Sequence, residues 1–148
     1  MKNKGFTLFE IIISLTLVLI VSGFFVYGNV FITSQQEQQL HRLVSDIRYI
    51  KQLSLQKGNS NNKIFIQINK EDNSYTINID KDKKTVKFSD KIKIETFPTN
   101  EGKIIFQGAE SDKGITIDLS SSTNTGKKYY KLTVAAISGR VKLTEENK

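Results

Sequence analysis

The apolar residues of this chain keep one rhythm up to Ser34, another as far as Lys57, and a last one to the C-terminus. In the first stretch, residues 6–34, apolar side chains occur on every side of a helix. No charged residue stands between Ile11 and Gln36. That run exceeds the roughly 20 residues an α-helix needs to cross a bilayer. Gln35, Gln36, Glu37, Gln38 and Gln39 then mark its emergence into water. In the second stretch Leu40, Leu43, Val44, Ile47 and Ile50 recur three and four residues apart, which predicts a continuing helix that lays one apolar stripe on a domain. Leu53 and Leu55 close the stripe. Gly58 fits the position just past a helix end, and Gly58-Asn59-Ser60-Asn61-Asn62 reads as a turn.

Beyond that turn the alternation has period two, the signature of strands with one face buried. Ile64, Ile66 and Ile68 face one way. Lys70-Glu71-Asp72-Asn73 turns the chain, and Tyr75, Ile77 and Ile79 face inward next. Asp82-Lys83-Lys84 turns it again before Val86 and Phe88. Ile92, Ile94 and Thr96 form a strand that ends before Pro98. Further strands are expected over Lys103–Phe106, Ile115–Leu119 and Lys128–Ile137, with Val141 and Leu143 closing the domain. Ser120 to Lys128 is the most loop-like segment, and Glu145 to Lys148 is expected to fray. A long helix followed by antiparallel strands predicts an α+β fold, with the amphipathic half of the helix packed on a C-terminal antiparallel sheet. The organisation expected is a segment 1–5, an apolar half-helix 6–34, an amphipathic half-helix 35–57, a β domain 58–144 and a tail 145–148.

Composition narrows the chemistry. The 148 residues contain no Cys, which excludes disulfides, thiolate nucleophiles and cysteine-ligated metals. A single His, His41, gives no basis for a histidine metal site or a nucleophile–base pair. The Asp and Glu residues fall mostly in turns, and no glycine-rich phosphate loop is present, so no enzyme activity, metal or cofactor is expected. The net charge of +7 admits nucleic acid or an anionic surface as a partner. Lys is interspersed with Asp and Glu, however, which favours an ordinary solvated surface.

The N-terminus asks for more than a membrane anchor. Lys2 and Lys4 precede the apolar run, which favours a cytoplasmic N-terminus with the rest outside. The run is too long for the apolar core of a cleaved secretory signal, about 7–15 residues. Glu10 is the exception within it. An acid at the centre of a membrane helix costs roughly 2.5–3.5 kcal/mol, less toward the end, and the run itself holds no cation. A cut between Gly5 and Phe6 would create an α-amine at Phe6. That amine on one subunit could meet Glu10 of a neighbour in a packed bundle, giving each buried charge a partner.

Lys4-Gly5-Phe6-Thr7-Leu8-Phe9-Glu10 resembles the type IV prepilin motif: a basic residue, then G-F-T-L-x-E, then an apolar helix. The resemblance implies cleavage after Gly5 by a prepilin peptidase and N-methylation of Phe6. It makes Glu10 the family's assembly glutamate, five positions into the mature chain. The Pro that many pilins carry in this helix is missing, and Gly23 and Gly28 occupy the region instead. Downstream, IIFQGAES, GITIDLSSS and YYKLTVAAISGRVKL resemble the minor pseudopilins of the GspH and FimT group. Order and spacing look closest to the ComGD pseudopilins of Gram-positive competence systems. This implies a single-pass membrane protein exposed at the cell surface in a DNA-uptake pilus, with other pilins as partners. Cleavage removes Lys2 and Lys4 and leaves 20 basic against 15 acidic side chains, still net +5.

Ser138-Gly139-Arg140-Val141-Lys142 is the most suggestive downstream stretch. Ser-Gly suits a two-residue hairpin turn. Alternation then sends Val141 and Leu143 to the core and points Arg140 and Lys142 to solvent. The resemblance makes Arg140 and Lys142 a candidate DNA contact, although Lys142 lacks the forked guanidinium of Arg. A solvated, aggregation-resistant edge explains the same residues. Tyr129 and Tyr130, beside Lys127, Lys128 and Lys131, suit base stacking less well than ordinary strand packing. A DNA receptor, a protein-secretion pseudopilin and a signal-anchored surface domain stay open as alternatives.

Overall fold

A computed structural model of the chain describes residues 8–57, 64–97, 102–108, 110–123 and 126–146; side chains 23–34 are outside that description. Gly5, Phe6, the turn expected at 58–62 and Pro98 therefore lie outside the described residues. Helix α1 runs from Leu8 to Lys57, about 75 Å at 1.5 Å per residue. It passes through Gly23 and Gly28 without a break. Lys57 stands in its last turn, where a cation is favoured by the helix dipole.

The strands are β1 (Ile64–Asn69), β2 (Ser74–Ile79), β3 (Asp82–Lys87), β4 (Ile92–Thr96), β5 (Lys103–Gln107), β6 (Glu110–Ser111), β7 (Ile115–Thr123), β8 (Gly126–Val134) and β9 (Val141–Glu146). They form two sheets, ordered β3-β2-β1-β5-β6 and β4-β7-β8-β9. Every strand pairing is antiparallel. The amphipathic half of α1 touches β1 and β5 of the first sheet and β7 and β9 of the second. The expected α+β architecture holds, with two sheets beneath the helix in place of one.

The predicted stripe is the spine of the core. Leu40, Leu43, Val44, Ile47 and Ile50 are all buried, against Ile66, Tyr75, Ile104, Ile117, Leu119 and Leu132 of the two sheets. Leu55 departs from the expectation and is 52% exposed, while Ser54 is buried in its place. The helical period explains the exchange: stepping by three and four from Ile47 leads through Ile50 to position 54.

The remaining differences arise where composition misled. Asp82-Lys83-Lys84 begins β3, and the turn is one step earlier, at Asp80 and Lys81, with Asp80 at φ 54°. Asp tolerates that left-handed conformation better than most residues. The supposed loop Ser120–Lys128 is largely strand, because Ser120 and Ser121 are buried and the serines find partners across the ladder. Ser120 Oγ donates to Glu95 Oε1 at 2.6 Å, and Ser122 N donates to Lys91 O at 2.8 Å. A register shift between Ile94 and Thr96 bulges the β4–β7 ladder at that Glu95. Strand β8 ends at Val134, so Ile137 belongs to a six-residue connection, closed by Ala135 N donating to Arg140 O at 2.9 Å. The two-residue Ser-Gly turn is not formed. Glu145 and Glu146 do not fray; they pair with Tyr130 and Tyr129. Gly102 sits at φ 63°, and a Cβ there would approach Ile68 O to 2.5 Å, so the β1–β5 junction accepts only glycine.

Candidate functional site

Glu10 lies in the first turn of α1 on a surface that is otherwise apolar. From Leu8, 78% exposed, to Val21 the large hydrophobic side chains stand outward and exposed among the described residues. The hydroxyls of this segment do not interrupt that surface. Ser14 Oγ donates to Glu10 O at 2.8 Å, Thr16 Oγ1 to Ile13 O at 2.8 Å, and Ser22 Oγ to Val18 O at 2.7 Å. Each is thereby satisfied by the helix's own backbone, the arrangement needed where water cannot reach. Glu10 is the one ionisable side chain between Leu8 and Ser22. Among the described residues no helix is long and apolar enough to cross a membrane.

The helix changes character at Gln36, which is only 3% exposed. Its Nε2 donates to Ser122 O at 3.0 Å, and its Oε1 accepts from Ser121 Oγ. Further along, Gln39 Oε1 accepts from Ser89 N at 3.0 Å. Ser54 Oγ donates to Phe106 O at 2.7 Å and accepts from Gly108 N at 3.2 Å. The glutamines expected to mark emergence into water include two that clasp the domain. Gln36 stands four residues before Leu40, and Ser54 four after Ile50. Continuing the stripe in both directions would have identified them.

Asp46 Oδ2 accepts from Tyr75 Oη at 2.6 Å. Burial, and then the Asp46 carboxylate, push the Tyr75 phenol well above its usual range.

At the other end of the domain Arg140 and Lys142 are both exposed, as expected, although Arg140 precedes the strand and closes the turn. Among the described residues neither has an ion-pair partner. The lysines near the tyrosines are spoken for. Lys128 lies 3.5 Å from Glu37 and 3.3 Å from Glu145; Lys127 lies 3.6 Å from Glu95; Lys131 pairs with Glu146. The hydrogen bond from Ser120, then Lys127 and Lys70, hold the Glu95 carboxyl below its usual range. Tyr130 is buried, and Lys127 Nζ lies 5.9 Å from the Tyr129 ring centre. The tyrosine pair is therefore no open stacking platform.

His41 lines a groove of about 220 Å³ between α1 and β9, with Glu37, Leu40, Tyr130, Leu143 and Glu145. Among the described residues no three His, Asp or Glu side chains are placed to hold a metal ion.

No curated protein and no solved structure matches the chain. Residues 1–26 match the family described as the prokaryotic N-terminal methylation motif. The match covers the residues around Gly5, Phe6 and Glu10 and the start of the apolar helix, and it makes this segment a type IV pilin-like signal.

Proposed function

We propose that the chain is a minor pseudopilin of a competence pilus, of the GspH and FimT group and closest to ComGD, required for DNA uptake. It is made as a single-pass membrane precursor, cut by prepilin peptidase between Gly5 and Phe6, and methylated at the new Phe6 amine. It enters a filament with other pilins through the apolar half of α1 and works as a structural subunit without enzymatic activity. The observation that carries this reading is the outward apolar surface of Leu8–Val21, its hydroxyls turned onto their own carbonyls and Glu10 its one carboxylate. A surface of that kind trades lipid for neighbouring helices with little change in apolar contact. The Phe6 amine of one subunit then meets Glu10 of the next, a pairing that strengthens as water leaves.

The deciding measurement is mass spectrometry of the mature N-terminus, which should begin with methylated Phe6. An intact N-terminal Met1–Gly5 segment on assembled protein overturns the proposal. Glu10→Val should still be cut but should drop from the filament by more than tenfold; undiminished incorporation removes the pairing.

A second reading, a DNA receptor, is favoured by Arg140 and Lys142, exposed and without carboxylate partners among the described residues. Binding that weakens steeply with salt and disappears in the Arg140→Ala, Lys142→Ala double variant supports it. Absence of binding at low salt rejects it. A protein-secretion pseudopilin with the same architecture is the third reading, and the substrate of the assembled machine separates it from the first.

A further inference from the structure

The connection between β8 and β9, residues 135–140, presents Ile137 at its apex. Ile137 is 85% exposed, more than any other large hydrophobic side chain described, including those of the apolar half of α1. The loop around it is firmly held. Ser111 N donates to Ala136 O at 2.8 Å, Lys51 Nζ to Ser138 O at 2.8 Å, and Arg48 Nη2 to Val141 O at 3.3 Å. Arg140 N donates to Ser138 Oγ at 3.3 Å, and Gly139 takes φ 54°. Donors from β6 and α1 fix the carbonyls of Ala136 and Ser138, one on each side of Ile137, so its apolar tip is presented in a set position. A pre-organised apolar anchor beside a guanidinium is the form of a protein-docking hot spot. Nucleic acid would gain little from the isoleucine.

The same flank of the molecule holds a complementary feature. The α1–β9 groove is floored by Leu40, Tyr130 and Leu143 and rimmed by Glu37 and Glu145. Lys128 bridges these two carboxylates and neutralises one of them. One negative charge of the three paired side chains is left on the rim. The loop carries Arg140, the matching positive charge.

We propose that the Ile137–Arg140 loop of one copy docks in the α1–β9 groove of a second copy. Ile137 meets Leu143 and Tyr130, and Arg140 completes the Glu37–Lys128–Glu145 cluster. The loop lies beside Lys51 and the groove beside His41, a separation of roughly 15 Å along the helix. Two copies therefore meet through their β9 flanks with helices parallel and shifted along the axis. In that arrangement one loop and one groove of the pair stay unoccupied. The proposal rests on the assembly reading above and names a contact within it.

The chain has no cysteine of its own, so introduced ones report cleanly. Full-length chains with two different tags are produced together, one carrying Ile137→Cys and the other Leu143→Cys, and oxidised mildly in the membrane. A mixed disulfide at least tenfold above either variant alone is expected. Glu145→Cys, on the exposed rim, replaces Leu143→Cys if the latter perturbs the fold. Glu145→Lys in the groove copy should lower the cross-link between Ile137→Cys and Leu143→Cys more than tenfold, and Arg140→Glu in the loop copy should restore it. Absence of the mixed species in chains with a normally processed N-terminus overturns the docking alone. Ile137→Cys pairing equally with itself, or loss of the cross-link on nuclease treatment, overturns it as well. An unprocessed N-terminus is the separate failure of the assembly reading.

Discussion

The two halves of α1 solve the same problem with opposite devices. In Leu8–Ser22 the apolar side chains face outward and each hydroxyl bonds a carbonyl of its own helix. In Gln36–Lys57 the stripe Leu40, Leu43, Val44, Ile47 and Ile50 faces inward, and three polar side chains reach across to β-sheet backbone: Gln36 to β7, Arg48 to β9, and Ser54 to the end of β5. Hydropathy alone separates the halves by amount. The hydrogen bonds separate them by destination, and destination tells which half belongs to the domain and which half awaits other company.

The comparison breaks most visibly by truncation. Ile47→Ala opens a cavity beneath both sheets and should destabilise the domain by about 2–5 kcal/mol. Ile13→Ala should leave domain unfolding unchanged and act only on incorporation into a filament. Equal denaturation midpoints for the two variants would erase the distinction. Gln36→Leu should destabilise by about 1–3 kcal/mol, because Ser121 Oγ and Ser122 O lose their partner. A smaller effect is expected from Tyr75→Phe, which releases the Asp46 bond. The raised Tyr75 pKa also fixes a sign: above pH about 10 the unfolded chain sheds a phenolic proton that the folded chain retains. Stability then falls as pH rises, and Tyr75→Phe should flatten that decline in alkaline urea titrations. At the bottom of the scale, Ser22→Ala should shift stability by less than about 0.5 kcal/mol, since its hydroxyl serves only its own helix.

Much of this was legible from periodicity. Leu40 to Ile50, and the alternating runs Ile64–Ile68 and Tyr75–Ile79, read correctly because each buries a continuous face. The errors share a cause. Ser120–Ser122 and Glu145–Glu146 look like loop and tail by residue type, but tertiary partners hold them in strands: Glu95 for Ser120, Gln36 for Ser121, and Lys131 for Glu146. Ile137 erred the other way. Its β-branched side chain suits a strand, yet the carbonyls around it are bound by Ser111 and Lys51 and draw it into a turn. Arg140 and Lys142 were placed in solvent as read. The groove at His41 was not foreseen, since it joins residues a hundred positions apart.

Leu40 to Ile50 close the inner side of both sheets at once, so α1 is at the same time a tow rope and a keystone. Tension applied at its N-terminal end cannot draw the rod away from the strands without laying bare the interior of both. A motor acting on this subunit would therefore move rod and strands together as a single load.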